Sequence, residues 1–406
     1  MPQYGSSLSE SPDPWIDWHV EAIIEALPLR RLRILLLAML PIAALPAFAA
    51  DGSALPMTGS SCDDQLRARN DQPYHSHHLI LENDTVDSWV GLHHSDRWYT
   101  NGIKAIDTRG PENPVTAFHC WMPNLLGWFG KEDQDQAGKI AYKYDFGWAV
   151  GQLVFTPQSI TTPQPQPTDR FWGGWLYLGA IVQRHSVIPQ TSVFLESETV
   201  EVDYGLVGPI SLAETFQKGI HSLIGAPAPQ GWGNQLRNEA GIQVTYLKSV
   251  RELMPVKIAS GLETDITVHR GFNVGTVFDY ANAGVTWRIG NRLREAPIGT
   301  IESPTLGELG HPNGRWYFLL RIDGKLVAHN TFIDGSLVQN APYDSLVRSK
   351  MGVVQGSAGA VYEFGGGEGK GWRLSFLLHR RSPEFNVPGS TSPTQTFGTI
   401  AVERGL

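Results

Sequence analysis

Residues 81–102, which read LENDTVDSWVGLHHSDRWYTNG, concentrate polar side chains between two stretches with the alternating pattern of strands. Oxygen-bearing side chains at such a place can bind a metal ion, or they can close a turn by bonding to their own backbone. From the residues alone, an Asx turn at Asn83 and Asp84 is the favoured interpretation. The polar members of the segment are Asn83, Asp84, Thr85, Asp87, Asp96, Arg97, Thr100 and Asn101.

The segment that follows Gly208 predicts a helix over residues 211–224. Ser211 and Glu214 have the Ser-x-x-Glu spacing of a capping box, and Gly225 followed by Pro227 stops the helix. Its apolar residues recur at helical spacing and cluster on one side of the predicted helix. These residues are Leu212, Phe216, Ile220 and Leu223.

The opposite side of this helix carries Glu214, Gln217 and His221. Imidazole titrates near neutral pH, so His221 can serve as a general base that takes a proton from water or from a hydroxyl group. The ordinary alternative is a helix that covers a loop and exposes its polar side to solvent. Periodicity alone favours that alternative.

The elements that must position these residues are strands, because apolar and polar residues alternate with period two along much of the chain. In GWRLSFLLHRR, for example, Trp372, Leu374 and Phe376 alternate with Arg373 and Ser375. The segments KIAYKYDFGWAVGQ and ETVEVDYGL show the same pattern. About eleven to thirteen segments of this kind predict an even number of strands near twelve.

Alternation by itself fits a soluble sandwich as well as a barrel in a membrane. Three features favour the barrel: the segments are long, aromatic residues lie near their ends, and the polar side is rich in Gly and isolated charges. We therefore predict an all-β fold, a transmembrane antiparallel β-barrel of about 12 strands, with a short helix near the active site. One feature opposes it, because outer-membrane barrels usually end in an aromatic residue and this chain ends in Leu406.

The first fifty residues are typical of an export signal. Three arginines within residues 30–33 precede the apolar run 34–48, and small residues follow as in a signal-peptidase site. The run is shorter than the roughly 18 to 20 residues that a spanning helix needs, which disfavours a membrane anchor. We predict an N-terminal extension and signal peptide over 1–50, a mature N-terminal segment over 51–75 and the barrel domain over 76–406.

Composition and cysteine content limit the classes of partner. The net charge of -8 argues against a nucleic-acid partner, which selects for basic patches. Cys62 and Cys120 both lie in the exported part, and their spacing is compatible with one disulfide or with two separate thiols.

Several motifs resemble the LpxR family of outer-membrane lipid A 3′-O-deacylases. The segment 81–102 resembles the start of that family, and three further segments follow in the same order. These are GQLVFTP at 151–157, TDRFWGGWLYLG at 168–179, and residues 208–239, which contain GPISLAETFQKGIHSLIG and PQGWGNQLRNE. The resemblance covers most of residues 76–406 and is densest before residue 250.

The resemblance implies a 12-stranded barrel whose active site lies at the level of the outer leaflet. Such an enzyme depends on Ca²⁺ and removes the 3′-linked acyloxyacyl chain of lipid A. Carried over residue by residue, the family's catalytic site corresponds to Asn83, Asp84, Thr100, Gln217 and His221. His221 would activate water, and the hard oxygens of Asn83, Asp84 and Thr100 would bind the Ca²⁺. The bound cation would then polarise the ester carbonyl.

The resemblance also implies partners and a location. The expected substrate is lipid A or lipopolysaccharide, the expected location is the outer membrane, and the barrel-assembly machinery would insert the chain. We expect a monomer that does not bind nucleic acid.

The chain departs from the family in two places that concern the substrate. The loop ITTPQPQPTD at 160–169 lacks the Lys that family members can carry, and Arg170 is the nearest cation. Pro227 stands where some members have an acidic residue, so Glu239 or Glu214 would have to compensate. Arg170 and Glu239 are therefore the predicted substrate contacts.

Two other functions remain open at this stage. One is an outer-membrane phospholipase or other lipid esterase that uses the same groups. The other is a non-enzymatic, channel-like barrel. A Gly-x-Ser-x-Gly motif is absent from the sequence, which favours attack by water over an acyl-enzyme.

Overall fold

The computed structural model of the chain describes residues 75–84, 98–109, 141–188, 191, 193–298, 314–365, 370–392 and 394–406. The predicted signal peptide, nearly all of segment 51–75 and both cysteines lie outside these residues. The same holds for four polar residues of the first motif, Thr85, Asp87, Asp96 and Arg97.

Twelve antiparallel strands form a closed barrel, as the alternating pattern predicts. In chain order they are β1 (His75–Asn83), β2 (Trp98–Arg109), β3 (Ala141–Thr156), β4 (Gly173–Ile188), β5 (Val193–Val207), β6 (Glu239–Ala259), β7 (Leu262–Gly275), β8 (Phe278–Gly290), β9 (Trp316–Asn330), β11 (Gly352–Phe364), β12 (Trp372–Arg381) and β15 (Gln395–Gly405). Three short strands, β10 (Arg348–Ser349), β13 (Phe385–Val387) and β14 (Ser390–Thr391), form a separate sheet.

The barrel closes between its first and last strands. β1 pairs with β15 from Ser76 opposite Gly405 to Asn83 opposite Gly398. The backbone nitrogen of Leu406 also donates a hydrogen bond of 2.9 Å to the carbonyl oxygen of His75. The seam therefore forms although the chain ends in Leu406 and not in an aromatic residue.

Exposure alternates along the strands in the sense expected for a barrel in lipid. In β12, Trp372, Leu374 and Phe376 are exposed on the outside, whereas Arg373 and Ser375 are buried in the interior. A polar interior and an apolar exterior reverse the arrangement of a soluble sandwich and match a membrane barrel.

The two ends of the barrel differ in their connections. One end, here called the loop end, carries the end of β1, the start of β2 and the connections 157–172, 208–238 and 331–351. The other, here called the terminal end, carries His75, Leu406 and the two-residue turn between β6 and β7.

The predicted helix exists, but the prediction of its first residue and of its capping box is wrong. Helix α1 spans Ala213–Ile224 and follows a 3₁₀ turn at Pro209–Ser211. Leu212 separates the two with a left-handed φ of 60°, so Ser211 does not cap the helix and no capping box forms. The end is as predicted, since Gly225 follows Ile224 with a φ of 70°. A second short helix, α2, spans Thr331–Asp334.

Two further findings concern the described residues as a whole. Within them, the segment His221–Ala226 forms one compact unit and the remaining residues form the other. Among the described helices, neither length nor apolar content suffices for crossing a membrane.

Candidate active site

A β-bulge lies near the start of β2, at the loop end of the barrel. Tyr99 pairs with Phe155 and Asn101 pairs with Val154, so Thr100 is an extra residue in β2. Its hydroxyl oxygen lies 2.7 Å from the hydroxyl oxygen of Thr156 on β3. Bulges redirect side chains and are frequent next to active sites.

The bulge gathers the residues that the first motif singled out. The carbonyl oxygen of Thr100 accepts a hydrogen bond of 3.2 Å from Asn83 Nδ2. The same oxygen accepts a second one of 3.3 Å from the backbone nitrogen of Asp84, a residue that is fully buried. The structure thus brings Asn83, Asp84 and Thr100 together, while their role as metal ligands stays a prediction.

Next to the bulge, outward-facing side chains of β3 are buried, although side chains on the outside of a membrane barrel normally face lipid. On β3, Gln152 and Val154 alternate with Leu153 and Phe155, which lie in the interior aromatic cluster. Gln152 and Val154 therefore point outward, and both are buried. We call this surface, formed by Gln152, Val154, Thr156 and Gly174, the outer wall.

Helix α1 begins against the outer wall, and its approach explains the burial. Gln152 Nε2 donates a hydrogen bond of 2.6 Å to the carbonyl oxygen of Ser211. Val154 packs in a cluster with Ala213, Trp172 and Trp232. The region before and at the start of α1 thus covers the outside of β3 and β4, whereas the sequence only placed the helix near the barrel mouth.

A glycine on β4 permits this close approach. A Cβ atom at Gly174 would lie 2.3 Å from the Cβ of Ala213 and 2.4 Å from Ser211 Oγ. Real Cβ contacts are not that short, so any larger residue at position 174 would push the start of α1 away from the outer wall.

Two of the three residues on the polar side of α1, Gln217 and His221, are buried, whereas Glu214 is partly exposed. Gln217 is 3% exposed, and its Oε1 accepts a hydrogen bond of 2.8 Å from Trp232 Nε1. Trp232 in turn packs against Trp172, with ring centroids 5.1 Å apart. His221, four residues after Gln217 and so on the same side of the helix, is also buried. The ordinary alternative, an exposed polar side, is therefore wrong for Gln217 and His221 and correct for Glu214.

Apolar side chains at the start of α1 point away from the barrel. Leu212 is 57% exposed and Ile210 is 47% exposed. They follow directly on β5, whose outward-facing Tyr204 is 63% exposed. Exposed apolar side chains just before α1, next to an outward-facing strand residue, suit a segment that borders lipid.

Arg170, one of the two predicted substrate contacts, is fully buried. Its Nη2 lies 3.0 Å from Glu384 Oε2, and the guanidinium packs near the rings of Phe155 and Phe385 at 5.3 and 5.9 Å. Burial lowers the pKa of Arg170, and the Glu384 carboxylate opposes that effect. These contacts give Arg170 a structural role beneath the loops, and its contact with substrate stays a prediction.

Glu384, the partner of Arg170, is kept ionised by the guanidinium groups that face it. Burial on its own would raise the pKa of Glu384, but the guanidinium groups of Arg381 and Arg170 hold it below its ordinary value. Glu384 also receives a hydrogen bond of 3.2 Å from Arg381 Nη1.

Glu239, the other predicted substrate contact, is the first residue of β6 and is buried. Its Oε2 accepts a hydrogen bond from Ser336 Oγ, which ties it to the connection that follows α2. A role towards substrate is a prediction here as well.

Sequence reasoning did not single out three residues that the fold places beside the candidate site. Gln152 and Thr156 lie in the GQLVFTP segment, and Trp232 lies in the PQGWGNQLRNE segment. Both segments belong to the motifs that resemble the LpxR family, and this resemblance was the signal that could have pointed to these residues. Which of their residues touch α1 or Thr100 depends on the strand register and could not be read from the motifs.

The family model for the outer membrane protein LpxR matches residues 35–406 of the chain. The chain belongs to the LpxR family. Among solved structures, LpxR from Salmonella typhimurium is similar over 81% of this chain and 99% of that chain, with 17% identity and a TM-score of 0.59. At this identity the likeness shows the fold, and the family match stands on the sequence model. No curated protein sequence matches the chain.

Other membrane barrels are more distant. The β domain of the Bordetella autotransporter BrkA matches 82% of this chain and 98% of that chain, with 8% identity and a TM-score of 0.35. The translocator domain of the autotransporter NalP from Neisseria meningitidis matches 84% of this chain and 93% of that chain, with 9% identity and a TM-score of 0.32.

Family membership makes the chain an outer-membrane β-barrel and a hydrolase of the lipid A 3′-O-deacylase family. The channel-like alternative loses its support on a second ground. Buried aromatic side chains fill the interior at the loop end, among them Phe155, Trp175, Phe278 and Phe332.

Proposed function

We propose that this chain hydrolyses the 3′-linked acyloxyacyl ester of lipid A, with Ca²⁺ as cofactor and His221 as general base. The observation that carries the proposal is the bulge at Thr100, whose carbonyl oxygen holds the side chain of Asn83 beside the backbone of the buried Asp84.

The donor set fits Ca²⁺. The carboxylate of Asp84, the amide oxygen of Asn83 and the oxygens of Thr100 are hard ligands of the kind this ion takes. Asn83 donates through Nδ2 to Thr100, so Oδ1 is the atom with which it would bind a cation. A single carboxylate suits the weak affinities of extracellular calcium sites. When bound, the ion would polarise the ester carbonyl and stabilise the negative charge that develops on its oxygen.

The protein's own groups move the proton. Neutral His221 accepts a proton from water as the water oxygen attacks the carbonyl carbon of the ester. The bond from this carbon to the 3′-oxygen then breaks, and the proton on His221 passes to the departing oxygen. The products are a lipid A with a free 3′-hydroxyl group and the acyloxyacyl carboxylic acid.

Gln217 is suited to orient the substrate. Trp232 Nε1 occupies its Oε1 at 2.8 Å, which fixes the amide plane. Within the described residues, the buried Nε2 has no hydrogen-bond partner and is the group that would donate to a substrate oxygen. Leaving such a donor buried without a partner costs about 1–3 kcal/mol, which a bound substrate would recover.

The apolar outside of α1 supports a lipid substrate. Ile210 and Leu212 are exposed next to the lipid-facing Tyr204, so acyl chains can reach α1 without leaving the bilayer.

The test is mass spectrometry of lipid A from a host whose lipid A is hexa-acylated and whose outer membrane carries the mature chain. We expect a mass loss equal to one acyloxyacyl group, abolished by EDTA and restored by Ca²⁺. His221→Ala should lower the rate on the order of 10²–10⁴-fold, the usual contribution of a general base. His329→Gln is the matched control, a histidine at the same end of the barrel that lies against Thr331 and has no assigned role.

Folding is checked for each variant by its heat-dependent mobility in gels. Intact lipid A from a folded wild-type barrel would overturn the proposal. Release of lysophospholipid without a change in lipid A would favour the phospholipase alternative.

A further inference from the structure

Three side chains of metal-binding type meet at the terminal end of the barrel, remote along β1 from Asn83. His75 Nε2 and His77 Nδ1 lie 3.0 and 3.1 Å from the same oxygen, Asp107 Oδ2. The two imidazole rings are 4.7 Å apart. One ligand atom from each residue lies within 4.8 Å of the other two.

Strand geometry holds this cluster in place. His75 and His77 are two positions apart on β1, so their side chains leave the same side of the sheet. The register sets Asp107 of β2 directly opposite His77. His78, the next residue, points into the barrel, where its Nε2 lies 2.7 Å from Ser76 Oγ, and it does not belong to the cluster.

The cluster lies on the outside of the barrel, at the level where lipid gives way to water. Asp107 pairs with Trp148 of β3, which is 45% exposed. On its other side, His77 pairs with Arg404 of β15, whose guanidinium lies 5.3 Å from the ring of Trp372. Exposed Trp residues beside outward-facing charges mark the interfacial aromatic girdle of membrane barrels. The side chain of His77 is 49% exposed there, so ions have access to it.

We propose that His75, His77 and Asp107 form a site for a divalent transition metal of the Zn²⁺ type. Two imidazoles and one carboxylate on one side of an ion are a recurrent ligand set for such metals. Zn–N distances of about 2.0–2.1 Å place tetrahedral donor atoms about 3.3 Å apart, close to the separations already present here. Water completes the coordination.

The chemistry of the ligands separates this site from a calcium site. Neutral imidazole nitrogens are poor ligands for Ca²⁺, which takes oxygen donors. Binding requires neutral imidazoles whose N–H groups point away from the ion, so the two direct contacts with Asp107 give way to three bonds to the metal. The ion would then link the first two strands of the barrel beside the closing seam between β1 and β15.

In the experiment, Zn²⁺ is titrated into the mature barrel in detergent micelles, and calorimetry measures the heat of binding. The protein carries no histidine tag, and Ca²⁺ is present in excess so that oxygen-only sites are filled. We expect one Zn²⁺ per chain, and a rise in the thermal unfolding midpoint on adding Zn²⁺. Asp107→Asn and His77→Gln should each weaken binding about 10-fold or more, at least as much as the loss of a group that only supports a metal ligand.

Two controls make the result decisive. His329→Gln removes a histidine whose Nδ1 lies 3.9 Å from a single carboxylate, Asp334, and should bind Zn²⁺ like the wild type. His77→Gln keeps a polar side chain, and its heat-dependent gel mobility reports that the barrel has folded. Absence of saturable Zn²⁺ binding, binding that Ca²⁺ displaces, or equal affinity in folded His77→Gln and wild type would each overturn the proposal.

Discussion

The interior of the barrel is built differently at its two ends. At the loop end, aromatic rings fill it: Phe155 stacks on Phe332 with centroids 4.1 Å apart, and Trp175 stacks on Tyr177 at 5.8 Å. Towards the terminal end, ion pairs fill it. Asp265 there accepts hydrogen bonds from both Arg251 and Arg288, at 2.6 and 2.7 Å.

This difference indicates that the ion pairs that stabilise the barrel and the candidate catalytic residues lie at opposite ends of it. Paired charges in a closed interior hold strands together, but they leave little freedom to bind anything else. At the loop end the interior is mostly aromatic, and the buried Asp84 lies there beside the bulge at Thr100. A change at the terminal end should therefore affect folding, and a change at the loop end should affect activity.

The largest expected effect is on stability, at the terminal end. Asp265→Asn leaves two buried guanidinium groups without their shared carboxylate, so the free energy of unfolding should fall by about 3–5 kcal/mol. Urea titration of the barrel in lipid vesicles measures it. Deacylation per folded molecule should stay unchanged, and a fall in that rate would contradict the separation of the two ends.

Glu214→Gln serves as the matched ion-pair control. Glu214 and Lys218 lie four residues apart on α1 and are 38% and 50% exposed. Surface pairs of this kind contribute about 0.3–0.5 kcal/mol, so the unfolding curve should barely move.

An intermediate effect is expected where the aromatic end is overfilled. A Cβ atom at Gly151 would lie 2.3 Å from Cζ of Tyr177, so Gly151→Ala should cost about 1–3 kcal/mol in the free energy of unfolding. Gly356→Ala is the control, because no atom lies within 4 Å of its added Cβ. Equal unfolding midpoints for the two variants would show that the aromatic end is loosely packed.

The smallest expected change in stability comes from one hydroxyl group. Thr156→Val removes the hydrogen bond to Thr100 and should lower the free energy of unfolding by about 0.5–1.5 kcal/mol. Because Thr100 holds Asn83 and Asp84, the Ca²⁺ concentration that gives half-maximal deacylation should rise. Deacylation rates measured over a Ca²⁺ series report that shift.

Thr264→Val applies the same chemical change at the terminal end. Far along the barrel from the bulge, the Thr264 hydroxyl donates a hydrogen bond of 2.9 Å to the carbonyl oxygen of Arg288 and accepts one of 2.7 Å from Trp287 Nε1. Because two hydrogen bonds are lost, it should cost at least as much stability as Thr156→Val, and it should leave the Ca²⁺ dependence unchanged. A shift of equal size in both variants would remove Thr100 from the candidate site.

Sequence patterns predicted the barrel well because lipid and interior impose opposite polarities on alternate residues. The faces of β12 follow directly from the alternation of Trp372 to Phe376 with Arg373 and Ser375. The bulge was not predictable, since Tyr99, Thr100 and Asn101 include no glycine and the extra residue appears only once β2 is aligned with β3.

The helix shows the limits of local rules more clearly. Ser211 and Glu214 had the spacing of a capping box, but Leu212 takes a left-handed φ, which is uncommon for leucine and leaves no local signature. Gln217 and His221 on the polar side of α1 are buried, contrary to the pattern of a helix that exposes its polar side to solvent. Helical periodicity placed Gln217 and His221 on one side of the helix and the family resemblance implied their catalytic role, but their burial needed the fold.

The placement of the start of α1 on the outer wall has a consequence for how a ligand is supplied. Ile210 and Leu212 face the surrounding lipid, so a molecule that reaches Asn83 from the bilayer travels laterally. Its encounter rate is then governed by its mole fraction in the leaflet and by two-dimensional diffusion. Adding inert detergent or phospholipid at constant volume would slow the reaction by surface dilution alone.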